Sequence, residues 1–409
     1  MHMTRPPGSE DLHYGNGGIA AHCRNGHRSV LLIFALLLSA CAGERPVTAT
    51  CPAATGEPPQ PFDAALDAAV TARWQGPPDA SRHPVAILVL SGGGTWGAYG
   101  AGFLNGWTQR PANTADRWPS RPTFDVVTGI STGAIMAPFA LVGSVADPAL
   151  QHAFRGVGGK DLYSGNGLLG LLGGHSLKKP DGIERRLVAA LDDSTIAAIK
   201  TAYGEKRSAW VGAVNFDTGN FTEFNLSAIA SALPNDQARA QMTNHIMAAS
   251  ALPGFFPPRF IDGCMYMDGG VRENVFVAPM RPAAIVAEPE QSRAAIYVIE
   301  NSTNEVPSEL TEYSVREIAT RSYELIENQT QINSLRNIYQ YAQEHGYGFY
   351  WTSADDVVFY TGDAGDHGAA CEAPRTPAGQ FDATFTTCLY DAALRKARDG
   401  ATPWRTDRP

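Results

Sequence analysis

The sequence predicts an α/β domain with helices wound on both faces of a mostly parallel sheet. The run Val85-Ala-Ile-Leu-Val-Leu90 is apolar without alternation, the pattern of a strand buried on both faces. A glycine-rich turn and a helix-prone stretch at 98–109 follow it. The same strand, turn and helix order then recurs: an apolar strand at 124–128, a tight turn, and a helix from Ala134 to about Val142.

Composition agrees with one large packed body. The chain has 409 residues, 44% of them hydrophobic and 18% charged, which excludes a disordered or fibrous chain. Its length alone suggests two or three domains, but large α/β enzymes often run as one, and residues 85–409 are taken as a single domain with a C-terminal helical extension. A net charge of −9 argues against nucleic acid as a partner, since neutralising phosphates needs clustered Lys and Arg.

The segment ahead of this body has its own logic. Residues 30–38 are apolar but far short of the roughly 20 needed to span a bilayer. Arg24, His27 and Arg28 precede them and Leu38-Ser-Ala-Cys41 follows, so residues 1–40 are expected to be a signal peptide. Residues 1–23, long and rich in Gly and His, take no part in fold reasoning. The sequence ending at Cys41 resembles the bacterial lipoprotein box, which implies a diacylated Cys41 and a periplasm-facing position in the cell envelope, on the outer membrane; an ordinary secretory signal is the alternative. Residues 41–84, rich in Pro, Ala and Gly apart from a short helical stretch at 62–74, are expected to be a flexible tether.

Export makes disulfides plausible for the remaining Cys51, Cys264, Cys371 and Cys388, which allow three pairings; Cys371 with Cys388 is the most local, and free buried thiols are the alternative. No CxxC or Cys/His spacing suggests a metal, and no metal or cofactor is expected.

Further along, 156–174 is a glycine-rich loop whose Gly167-to-Gly174 part reads as an apolar flap, a lipid-touching surface or packed leucines. Helices are expected at 181–191, 194–203 and 238–250. Residues 210–215 and 221–226 form a hairpin around Asp217-Thr-Gly-Asn220, and 294–299 is a strand. A long amphipathic helix is expected at 309–345, then a polar loop with Gly365, Gly368 and Gly379, and a short helix at 389–398.

Three motifs carry chemistry. Gly129-Ile-Ser-Thr-Gly133 lies between a strand and a helix, the context that gives a GxSxG sequence meaning: Gly129 and Gly133 permit a sharp turn that lifts Ser131 to a helix N-terminus. Ser91-Gly-Gly-Gly-Thr-Trp-Gly-Ala98, also between strand and helix, offers the backbone amides of Gly92, Gly93 and Gly94 as an oxyanion hole. It fits neither GxGxxG nor GxxxxGK[ST], which weighs against a nucleotide phosphate loop. The third motif is Met267-Asp-Gly-Gly270, preceded by Ala249-Ser-Ala-Leu-Pro-Gly-Phe-Phe-Pro-Pro258.

In this order the motifs resemble the patatin-like phospholipase family, over residues 85 to about 276. The resemblance implies a three-layer α/β/α sandwich of patatin type and an acyl hydrolase acting on carboxylic esters of phospholipids, lysophospholipids or related lipids. It further implies a dyad in which Asp268 alone activates Ser131. The lipoprotein box and the long helix resemble a bacterial lipoprotein branch. One departure is Trp96, where many members carry Arg or Lys, so a cation holding the loop or a substrate phosphate is in doubt. A Ser-Asp-His triad would need His345 or His367, the histidines after Asp268, and neither lies in a loop after a final strand; His83, His152, His175 and His245 precede it. A non-catalytic envelope scaffold and an acyltransferase are the other readings. The head group, the acyl position and the oligomeric state are not legible in the sequence.

Overall fold

The computed structural model describes residues 51, 85–111, 118, 120–165, 176, 178–277, 294–306, 308, 310–360, 370–374 and 382–409. The signal segment with Cys41, the tether other than Cys51, the stretch from Gly167 to Gly174, His83, His175, His367 and the loop with Gly365, Gly368 and Gly379 lie outside them.

Eight strands form the central sheet: β1 (Val85–Leu90), β2 (Val126–Gly129), β3 (Ser208–Asn215), β4 (Phe221–Asn225), β5 (Arg259–Ile261), β6 (Cys264–Asp268), β7 (Ala294–Ile299) and β8 (Gly348–Thr352). Their order is β8-β7-β1-β2-β3-β6-β5, with β4 also paired to β3. The five strands from β8 to β3 are parallel. The pairings of β3 with β4 and β6, and of β5 with β6, are antiparallel.

β1 shows why its sequence does not alternate. Ala86, Leu88 and Leu90 belong to one apolar cluster and Val85, Ile87 and Val89 to another, so both faces are covered. The first cluster takes in α1 (Gly97–Gln109), α2 (Thr132–Val142), α7 (Asn235–Ala249) and α9 (Ala383–Asp399). The second is closed by Leu335, Ile338 and Ala342 of α8 (Val315–Glu344). This is the three-layer sandwich expected. Helices α3 (Asp147–Phe154), α4 (Asp181–Ala190), α5 (Asp193–Gly204) and α6 (Leu226–Ala232) add to the same layer as the first cluster. The α1–α9 contact depends on glycine: a Cβ on Gly102 or Gly106 would lie 2.2 Å from the carbonyl oxygen of Tyr390 or Leu394.

Several boundaries differ from expectation for local reasons. α8 begins at Val315, not near 309, because Ser314 caps it by accepting the Glu317 N–H. Only its second half is amphipathic in the expected sense, since Val315, Ile318, Leu325 and Ile326 in the first half are exposed. α9 starts at Ala383, ahead of the expected 389, where Asp382 accepts the amides of Thr384 and Phe385. The β5–β6 hairpin escaped notice, although its turn is Asp262-Gly263 with both residues at positive φ, a recognisable hairpin signal. Among the described residues no helix is long and apolar enough to cross a membrane.

Two disulfides form, the local Cys371–Cys388 and the long-range Cys51–Cys264. The second corrects the tether reading at one point: Cys51 is buried and fixed to the start of β6. Loop-closure entropy grows with the logarithm of the closed loop, and the separations are 213 and 17 residues. Replacing Cys51 and Cys264 by Ser is therefore expected to cost about 2 kcal/mol more than the same change at Cys371 and Cys388. Denaturant titration of both double variants checks this, and an equal or reversed order would contradict it.

Candidate active site

The sheet itself brings Ser131 and Asp268 together. One edge of β3 is occupied by β4 from Trp210 to Val214. β2 and β6 must therefore share the other edge, and they do so end to end: Gly129 of β2 faces Val211, and Asp268 of β6 faces Ala213. Where β2 leaves the sheet, β6 takes its place. Ser131 follows β2 by two residues and Asp268 ends β6, so both side chains emerge at this junction.

Ser131 holds a strained backbone, with φ 52° and ψ −120°, at the N-terminus of α2. Such a conformation in a non-glycine residue costs on the order of 1–3 kcal/mol and persists only when its surroundings enforce it. Here the Ser131 N–H donates to the Ala249 carbonyl at 2.9 Å, and the Ser250 hydroxyl donates to the Ser131 carbonyl at 2.9 Å. The Asp268 N–H donates to the Ala251 carbonyl, also at 2.9 Å. The segment from Ala249 to Ala251 thus splints the serine turn and the aspartate at once. Gly129 and Gly133 are required by close approach, since a Cβ on either would lie 2.2 or 2.3 Å from a backbone oxygen.

The glycine loop lies across from this turn, and its three glycines have different tasks. The Gly92 N–H is taken by Asn274, through the side-chain Oδ1 at 3.0 Å and the carbonyl at 3.3 Å. The Gly92 N–H, expected as an oxyanion donor, thus already has an acceptor in Asn274. Gly93 has φ 146° and passes so near Asn301 that a Cβ would sit 1.9 Å from its carbonyl oxygen. Among the described residues the amides of Gly93 and Gly94 have no acceptor, and a Cβ on Gly94 would meet nothing within 4 Å. These two amides remain as candidate donors toward the cavity. Asn274 and Asn301 had no local signal in the sequence, because each acts on a segment far away in the chain.

Asp268 is buried, and burial pushes its pKa from the ordinary 3.8 up to about 6, against the lowering pull of the Gly270 N–H and the Ser131 hydroxyl. The Gly270 N–H donates to Oδ1 at 2.8 Å. Oδ2 is buried without a partner of full hydrogen-bond geometry, so the serine hydroxyl influences the carboxylate without yet closing a proper bond to it. Contacts of this kind often tighten only when substrate is bound. Glu327 on α8 is pushed up to about 7, first by burial and then by the charges of Asp268 and Glu324.

Above the junction lies a cavity of about 440 Å³. Its lining includes Ser131, Asp268 and the glycine loop, the apolar Ile135, Phe139, Phe154, Leu187, Leu252 and Phe256, and the polar Thr303, Thr320, Arg321, Glu324, Glu327 and Asn328. Trp96 also lines it, buried and set edge-on against Phe385, and brings an apolar surface where a cation would have stood. Among the described residues no histidine lines the cavity. His345 hydrogen-bonds the Tyr341 carbonyl at the end of α8, and His245 that of Gln241.

Residues 88–281 match the family model of patatin-like phospholipases. This segment, which holds the glycine loop, Ser131 and Asp268, is similar to patatin-like phospholipases. Among solved structures, VipD from Legionella pneumophila is similar at 12% identity with a TM-score of 0.37, over 77% of this chain and 66% of VipD, so the chain spans just under two thirds of that protein. No curated protein matches the chain.

The raised Asp268 pKa has a definite sign. Between pH 3.8 and about 6 the native chain holds a proton that the unfolded chain has lost, so stability falls as pH rises through that window. Above it the full cost of the buried charge is present, on the order of 3 kcal/mol. Asp268→Asn is therefore expected to be more stable than the natural protein at pH 8 and to lose that advantage near pH 4. Melting curves of the pair across this range check it, and a variant less stable at pH 8 would sink the assignment.

Proposed function

We propose that the protein is a serine lipid acyl hydrolase that cleaves carboxylic esters of phospholipids or lysophospholipids through an acyl-enzyme on Ser131. The observation that carries this reading is the strained serine turned toward a buried, incompletely bonded carboxylate, both lining one cavity that is also lined by apolar side chains. The patatin-like match over residues 88–281 supports the same class.

In the proposed reaction the acyl chain packs against apolar lining residues such as Phe139 and Leu187. The Ser131 Oγ attacks the ester carbonyl carbon as its proton passes to Asp268, whose proton affinity is raised toward neutrality by burial. Charge developing on the carbonyl oxygen is met by the amides of Gly93 and Gly94 and by the N-terminus of α2. The alcohol departs with the proton from Asp268, and a water molecule, deprotonated by the same carboxylate, then releases the fatty acid and restores the serine. Because the dyad needs Asp268 ionised, the acid limb of the rate is expected near pH 6.

Ser131→Ala and Asp268→Asn are each expected to abolish turnover of a soluble ester while the protein stays folded, and a fluorophosphonate probe should label the natural protein at Ser131 alone. More than about a tenth of the natural rate in either variant would contradict a dyad, since losing a nucleophile or its base normally costs far more. His345→Ala should remain fully active. Its inactivation with the fold intact would favour a triad, and absence of labelling in the natural protein would favour a scaffold.

The same reading extends to where the protein acts. We further propose that residues 1–40 direct export and that acylated Cys41 holds the domain to the envelope membrane, on the outer membrane facing the periplasm. Cys41→Ser is then expected to yield a soluble, active protein. Partitioning of that variant with membranes after a salt and carbonate wash would defeat the anchor.

A further inference from the structure

We infer that Asn274 is a positioning residue that sets the oxyanion loop, and that helix α8 holds it in place through Gln331 and Ser334. This rests on the reading of Ser131 as the nucleophile.

The geometry leaves Asn274 no spare polar group. Its Oδ1 and its carbonyl both accept from the Gly92 N–H, at 3.0 and 3.3 Å. Its Nδ2 donates to Gln331 Oε1 at 3.0 Å, and its backbone N–H donates to the Ser334 hydroxyl at 3.3 Å. Ser334 in turn donates to the Thr330 carbonyl within α8 at 2.8 Å. Asn274, Gln331 and Ser334 are all buried, so none of these bonds can be exchanged for solvent at small cost.

Steric contact reinforces the bonds. A Cβ on Gly92 would come within 2.5 Å of Asn274 Oδ1 and 3.2 Å of the Ser131 Cβ, so the loop, the asparagine and the nucleophile occupy adjoining space with nothing between them. On its far side the loop is held by Asn301, whose N–H donates to the Ser91 hydroxyl at 2.7 Å and whose Nδ2 donates to the Ser91 carbonyl at 2.8 Å. Fixed at Ser91 by Asn301 and at Gly92 by Asn274, the next two amides, Gly93 and Gly94, have their directions determined. The Asn274 segment is also tied to the serine strand, since the Thr128 hydroxyl donates to the Phe276 carbonyl at 2.6 Å. One loop therefore carries Asp268, orients the donor pair and braces the strand leading to Ser131.

An oxyanion hole acts on charge that exists only in the transition state, and its directional loss lowers kcat with little change in KM. Asn274→Ala should lower kcat on a soluble ester by about 10- to 100-fold, with KM within about twofold. It should slow fluorophosphonate labelling of Ser131 by a similar factor. Gln331→Ala, one bond further out, should show a smaller loss of the same kind. Asn274→Asp keeps the acceptor for Gly92 but places a carboxyl beside Asp268, and should move the acid limb of kcat to higher pH, a change that loss of stability alone would not produce. A folded Asn274→Ala with undiminished kcat, or a loss confined to KM, would overturn the inference. Should that variant fail to fold, an undiminished kcat in Gln331→Ala together with an unmoved acid limb in Asn274→Asp would do the same. Failure of the probe to label the natural protein would instead remove the nucleophile assignment beneath it.

Discussion

The site depends on a shared strand edge. β3 is eight residues long and β4 fills one side of it, so the other side must serve both β2, which runs parallel and stops at Gly129, and β6, which runs antiparallel and stops at Asp268. An antiparallel hairpin inserted where a parallel strand ends brings the ends of two strands within side-chain reach. A regular parallel sheet would keep successive strand ends a full strand spacing apart, roughly 4.8 Å for each step. The departure from a wholly parallel sheet thus places the two members of the proposed dyad at one junction.

Burial at that junction has opposed effects that together suit the chemistry. Excluding water raises the Asp268 pKa, which costs stability above about pH 6 but turns a weak base into one matched to near-neutral conditions. The same exclusion strengthens the effect of amides aimed at a developing oxyanion, because they act in a medium of low dielectric. Strain at Ser131, a buried charge at Asp268 and donors without acceptors at Gly93 and Gly94 are three local departures from optimal folding within one small region. Such clustering is how stability is given up for function, and the splint from Ala249 to Ala251 is what holds it in place.

What the sequence disclosed follows from the range of the forces involved. β1 and β2 were legible because burial on both faces writes a continuous apolar run, and the serine turn because a sharp backbone reversal needs small residues at fixed spacing. The different tasks of the three loop glycines were not legible. Gly92, Gly93 and Gly94 are identical in one dimension and are told apart only by Asn274 and Asn301, which lie 182 residues from Gly92 and 210 from Ser91. Glu327 was hidden for the same reason, since its place in the cavity lining depends on where the long helix packs. Short-range rules recover turns and strands; the orientation of donors is set by partners distant in sequence.

The Cys51–Cys264 bond alters what an anchored domain would be able to reach. A tether running freely from Cys41 to β1 would contain more than forty residues, but Cys51 is fixed to the body, which leaves 51 − 41 = 10 Cα–Cα steps between the proposed anchor and the first fixed point. Fully extended, that span measures at most about 36 Å. Its fixed end is Cys264, the first residue of the strand that ends on Asp268, so one strand separates the disulfide from the carboxylate. Four residues of strand add about 13 Å. With Cys41 acylated, the serine would be confined to within roughly 50 Å of the bilayer, a restraint that holds only while the disulfide is intact. An oxidising compartment would therefore both stabilise the fold and hold the site close to a membrane surface.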